Sequence, residues 1–173
     1  LTYVRSWADH PGLVAALARR IRERLASPGF EEAHVLFTAH SLPKRILAWG
    51  DPYPAQLAAS ARAVAAAAGA SRWSFAFQSA SATGEPWLGP DVLDALRDLH
   101  AAGVRDVVVC PIGFVADHLE VLYDLDVEAA ALARDLGVRL VRTASLNASP
   151  AFVDVLADLA TAALVPGRPA AHR

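Results

Sequence analysis

Apolar positions along this chain switch between two patterns. Residues 11–26 carry apolar side chains at 13, 14, 17, 21 and 25, the 3.6-residue period of a helix, with Pro11 suited to its first turn. Residues 33–39, AHVLFTA, form a short unbroken apolar run, the pattern of a strand buried on both faces. A loop over 40–54 holds three prolines and one glycine. An alanine-rich helix follows over 55–68, with Gly69 as its C-terminal cap. The same alternation then repeats. Strands are predicted over 73–77, 106–112 and 138–142, and helices over 90–102, 117–136 and 150–164. Residues 78–89 read as a loop and 166–173 as a frayed tail.

Strands separated by helices of this length predict an α/β fold, a doubly wound four-stranded parallel sheet with helices on both faces. No internal repeat or linker divides it. In such a sheet all the strands' carboxyl ends lie along one edge, where ligands bind. The unusual polar residues fall there. His40 follows the first strand, Gln78 and Ser79 the second, Gly113 to Glu120 the third, and Leu146 and Asn147 the fourth. The expectation is a single site built from four loops.

After the third strand come Glu120, Asp124 and Glu128, spaced i, i+4, i+8. On a helix they share a face, where like charges repel by about 0.2–0.5 kcal/mol per pair. A solvated acidic face is the bland reading. Placement at the ligand-binding edge, beside His118, favours a metal or proton path. His40 is a candidate proton acceptor or metal ligand once paired with Glu120. Two aromatic loops, with Trp49 and Tyr53 in one and Trp87 and Leu88 in the other, would border a cleft for a flat apolar ligand. His34 and His100 read as structural or surface residues, and His10 and His172 lie near the ends.

Composition narrows the choices. The chain has 173 residues, 54% hydrophobic and 20% charged, enough for one packed domain. Its net charge of −2 and lack of a basic cluster argue against nucleic-acid binding. No apolar run reaches the ~18 residues of a membrane span. With no signal-peptide pattern, the expected location is cytoplasmic. The single cysteine, Cys110, excludes an internal disulfide framework. The chain contains no methionine, even at position 1, so it is expected to be processed or part of something longer. Structural-zinc spacings, a GxSxG elbow and phosphate-binding glycine loops are absent.

Several separate motifs carry a resemblance to one family. They are TAHSLP at 38–43, GDPYPAQL at 50–57, FQS at 77–79, PWLGPDV at 86–92, GFVADHLEVLYDLD at 113–126 and LN at 146–147. Together they resemble ferrochelatase, the enzyme that inserts ferrous iron into a porphyrin, and most of all its bacterial branch, which includes the Gram-positive coproporphyrin enzymes. The resemblance implies two similar doubly wound halves with the site between them. Residues 1–30 would be a lead-in helix from a missing N-terminal half, 31–165 the C-terminal chelatase-like domain and 166–173 the tail. It implies that His40 and Glu120 are the paired catalytic residues. It continues the metal path from His40 and Glu120 through Asp124 and Glu128, with the outer end a candidate for Mg²⁺ or another divalent ion. Ser41, Leu42, Pro43, Gln78, Ser79 and Trp87 would border the porphyrin cleft. Protoporphyrin IX or coproporphyrin III and ferrous iron would be the substrates. Some family members carry a [2Fe–2S] cluster on C-terminal cysteines; this chain departs from them, and no cluster is expected. Insertion removes two pyrrole protons and adds one divalent metal. A neutral histidine suits the proton or the metal, and carboxylates suit metal hand-over. The alternatives are an isolated half that only binds tetrapyrrole or metal, and a chelatase for another tetrapyrrole.

Overall fold

The computed structural model describes residues 3–164. The tail expected over 166–173 lies outside the described residues, as does His172. Four strands, β1 (His34–His40), β2 (Trp73–Gln78), β3 (Asp106–Cys110) and β4 (Arg139–Arg142), form one sheet. Its order is β2-β1-β3-β4, and every pairing is parallel.

The helices divide between the two faces, as the unbroken apolar strands require. On one face α1 (Pro11–Leu25), α2 (Tyr53–Ala68) and α6 (Pro150–Leu164) pack on Val35, Phe37, Val108 and Cys110. Ala18 and Ile21 of α1 have no exposed surface, so α1 is part of this core. On the other face Leu36, Val107 and Val109 meet α3 (Val92–Ala101) and the long helical stretch after β3. Consecutive residues of β1 thus serve opposite cores. A 3-10 helix, Lys44–Trp49, lies in the loop after β1.

The long stretch differs from the single α-helix predicted over 117–136. It starts at α4 (Leu119–Val121), passes through a π-helix (Leu122–Ala129) and ends as α5 (Ala130–Asp135). The physical reason lies in its apolar residues. Val121, Leu125, Ala129 and Ala133 are each at most 1% exposed and are spaced strictly by four. At 3.6 residues per turn each step of four overshoots a turn by about 40°, so from 121 to 129 the stripe would drift by about 80°. The wider π turn, with its i→i+5 bonding, turns less per residue and so opposes that drift. The acidic residues 120, 124 and 128 share that spacing.

Candidate active site

The sheet order reverses direction about β1, since β2 lies on one side of it and β3 on the other. The crevice between the carboxyl ends of β1 and β3 is therefore the switch point where open α/β sheets bind ligands. His40 closes β1 and is level with Gln78 on the last rung of the β1–β2 ladder. β1 runs three residues past its last pairing with β3, Phe37 with Cys110. The chain leaving β3 then crosses this overhang. Gly113 N–H donates to Thr38 O at 3.1 Å. A β-carbon at Gly113 would sit 2.5 Å from that of Ala39, so only glycine permits the crossing. The crossing carries Glu120 to His40.

His40 Nε2 and Glu120 Oε2 stand 3.6 Å apart, with 32% and 52% of their side chains exposed. The other ring nitrogen, Nδ1, lies 2.5 Å from Ser41 O. A carbonyl oxygen only accepts, so Nδ1 carries the hydrogen. A neutral ring with that tautomer presents an unprotonated Nε2 toward the carboxylate, whereas a protonated ring pairs with it as a cation. With the ring neutral, two electron-rich atoms face each other beyond hydrogen-bond range, with room for a cation between them. Two ligands of one tetrahedral ion, each about 2.1 Å from it, lie roughly 3.4 Å apart, close to the gap observed. Among the described residues no three His, Cys, Asp or Glu side chains group closely enough to cage a metal ion. The pair thus offers two donor atoms, a candidate site open on its remaining sides. Tyr53 steadies it by donating its hydroxyl to His40 O at 2.9 Å.

Asp124 turns toward the end of β2. Its Oδ2 accepts from Gln78 Nε2 at 3.3 Å and from the Ser79 hydroxyl. Ser79 holds a left-handed φ of +61°, a conformation uncommon for a side chain other than glycine. Asp124 is half-buried, while Glu128 is exposed. Glu120 and Asp124 therefore serve neighbouring strand ends.

Leu42, Pro43 and Trp87 come together through two zipped loops. Leu88 N–H donates to Leu42 O at 2.9 Å, Lys44 N–H to Pro86 O at 2.8 Å, and Pro43 bridges Trp87. Ser41 and Gln78 were expected at the cleft, yet neither shows appreciable surface. Ser41 spends its hydroxyl on Leu88 O at 2.8 Å, and Gln78 reaches Asp124, so both hold the wall from behind. Trp87 is half-buried and donates its indole N–H to Thr83. Trp49 is exposed beneath the Arg45 guanidinium. His118 is exposed, with its ring 5.0 Å from that of Phe114. His34 meets Ser74 Oγ at 2.8 Å, and burial pushes its pKa down, which suits a structural role. A cleft of about 280 Å³ opens alongside, lined by Trp7, Tyr53, Leu57, Phe114 and Val115 among others, but by neither His40 nor Glu120.

Sequence reasoning missed Asp117, Arg142 and Ser145. Arg142, the last residue of β4, contacts Asp117 and Asp126, while Ser145 and Asn147 also hydrogen-bond Asp117. The available signal was a charged residue closing a short strand just ahead of Leu146 and Asn147.

No helix among the described residues is long and apolar enough to cross a membrane. The ferrochelatase family model matches residues 1–164. The chain is 49% identical to a ferrochelatase of Herpetosiphon aurantiacus, over 93% of this chain and 54% of that protein. It is 50% identical to a ferrochelatase of Thermus thermophilus, over 93% and 51%. To the coproporphyrin III ferrochelatase of Bacillus subtilis it is 45% identical, over 92% and 53%. The chain spans about half the length of the curated relatives it matches.

Proposed function

This chain belongs to the ferrochelatase family, and we propose that, within a complete enzyme, it inserts ferrous iron into a porphyrin in haem biosynthesis. The observation that carries this is the pair at the switch point, Nε2 of His40 facing Glu120 across 3.6 Å with Nδ1 tied to Ser41 O. The enzyme is a metal-inserting lyase of the cytoplasm, and its porphyrin is coproporphyrin III or protoporphyrin IX. A second half, of similar fold, faces the pair and completes the cleft. Residues 31–165 are the C-terminal half of this arrangement.

Insertion exchanges two pyrrole protons for one Fe²⁺. His40 has one lone pair free for a proton or for the metal, and Glu120 offers the balancing charge. Their exposure leaves the pair open to a macrocycle on one side and to solvent cations on the other. Asp124 and Glu128 extend the carboxylates outward and would hold Mg²⁺ or another divalent ion at the outer position. Carboxylates and water hold a divalent ion weakly enough to pass it on. Trp87, Leu42 and Pro43 border the porphyrin, with Ser79 at the β2 end. The chemistry requires no iron–sulfur cluster on this chain.

The test is iron insertion by the complete enzyme carrying His40→Ala. Activity is expected to be lost while circular dichroism and the melting curve are retained. Glu120→Gln should lower kcat by about 10²-fold or more, the usual contribution of a positioned acid–base group. Full activity in His40→Ala overturns the assignment.

A further inference from the structure

Glu120 owes its place opposite His40 to little regular structure, because residues 113–118 belong to neither helix nor strand. Two anchors flank it in sequence, Asp117 on one side and Asp126 on the other, and one side chain grips both. We propose that Arg142 is a positioning residue of the metal-insertion site, holding Asp117 and Asp126 together so that Glu120 stays in reach of His40. The assignment rests on the chelatase reading above.

Arg142 ends β4, and its side chain is 16% exposed. Its Nε and Nη2 donate to the two carboxylate oxygens of Asp126 at 2.7 and 2.8 Å. Its Nη1 donates to Asp117 Oδ1 at 3.0 Å. The planar fork therefore makes one bidentate and one single contact, a geometry that a lysine ammonium cannot reproduce. Asp117 is held independently too. Ser145 Oγ donates to its Oδ1 at 2.7 Å and Asn147 Nδ2 to its Oδ2 at 3.0 Å, while Asp117 N–H donates to Asn147 Oδ1 at 2.9 Å. Hydrogen bonds from Asn147 and Ser145, with Arg142 beside them, hold the Asp117 carboxyl below its ordinary range, so it stays ionised. Asn147 also donates its N–H to Val115 O at 2.8 Å and takes a left-handed φ of +47° to do so. Every one of these groups lies outside the His40–Glu120 pair. Their common effect is to tie the crossing segment and the π-helix to one edge strand. Asp117 fixes the chain three residues before Glu120, and Asp126 fixes it six residues after. With the guanidinium removed, Asp126 loses its bidentate partner and Asp117 keeps only its neutral ones.

The experiment compares the complete enzyme with Arg142→Lys, alone and in a Glu120→Gln background. It measures kcat for iron insertion, KM for Fe²⁺, porphyrin affinity by fluorescence quenching without metal, and Tm. Arg142→Lys is expected to lower kcat by up to about 10²-fold, the cost of misplacing a reacting group by an ångström, while porphyrin affinity is retained. In the Glu120→Gln background the same change should cost little more, because Arg142 acts through Glu120. A lowered Tm with unchanged kcat, or the full kcat loss persisting in that background, overturns the assignment. Should Arg142→Lys fail to fold, Asp126→Asn serves, since it keeps the side chain's shape and leaves the Asp117 contacts in place. A partial kcat loss is expected there, and none would overturn the proposal. Inactive unmutated enzyme would sink the chelatase reading and this assignment together, and the wild-type assay alone identifies that outcome.

Discussion

In its neutral form His40 shows Glu120 an unprotonated nitrogen only while Ser41 O retains the hydrogen of Nδ1. That contact depends on how β1 ends, and the nearest threat to it is at Gly113. A β-carbon there would lie 2.5 Å from Ala39 Cβ and 2.9 Å from its Cα. Overpacking of this kind costs about 1–3 kcal/mol, and here the displaced backbone adjoins His40. Gly113→Ala is expected to lower stability by that amount in urea titration and to reduce kcat; wild-type stability would refute the close approach. Cys110 makes the opposite case, a residue with chemistry it cannot use. Burial pushes its thiol up to about 12, so it stays protonated at neutral pH. The folded state thus favours the neutral thiol. Its contribution is complete below the unfolded value near 9.0 and is lost as pH rises toward 12. A thiol reagent at pH 8 should react with Cys110 only at the rate of unfolding, and fast labelling of native protein would contradict this.

At the scale of elements, the strands and most helices were legible because apolar runs and glycine caps mark them locally. The predicted 106–112 strand ends at Cys110, and the helix predicted from 90 starts at Val92 after an Asp91 cap. The π-helix was hidden for a different reason. Its period-four stripe was present in the sequence, but it reads as an α-helical face unless the drift of each turn is added up. Burial of Ser41 and Gln78 was not legible either, since it depends on partners 47 and 46 residues away, Leu88 in a loop and Asp124 in the π-helix. Likewise the Arg142 network joins residues 25 apart across the sheet edge. The acidic row spans this element. Asp124 is held by Ser79 and Gln78, and Glu128 faces solvent. Asp124→Ala with Glu128→Ala should weaken iron use by about 10–100-fold, as losses around metal ligands do, with porphyrin affinity unchanged. Steady-state kinetics decides it, and an unaltered metal KM and kcat would return the row to a solvated face.

Over the whole molecule, the order β2-β1-β3-β4 brings the site together. β1 supplies His40, β3 launches Glu120, β2 holds Asp124, and β4 anchors the launch through Arg142. Each strand end thus contributes one part, so residues far apart in sequence converge without any of them lying in a closed cavity. The open face of the pair is where a macrocycle would approach. Iron insertion at this pair requires that one cation fit between His40 and Glu120. It is tested most directly by soaking crystals of the complete protein in Co²⁺ and measuring anomalous difference density. A peak is expected between His40 Nε2 and Glu120 Oε2, about 2.1 Å from each. An ordered, unoccupied pair with cobalt bound only elsewhere would contradict it.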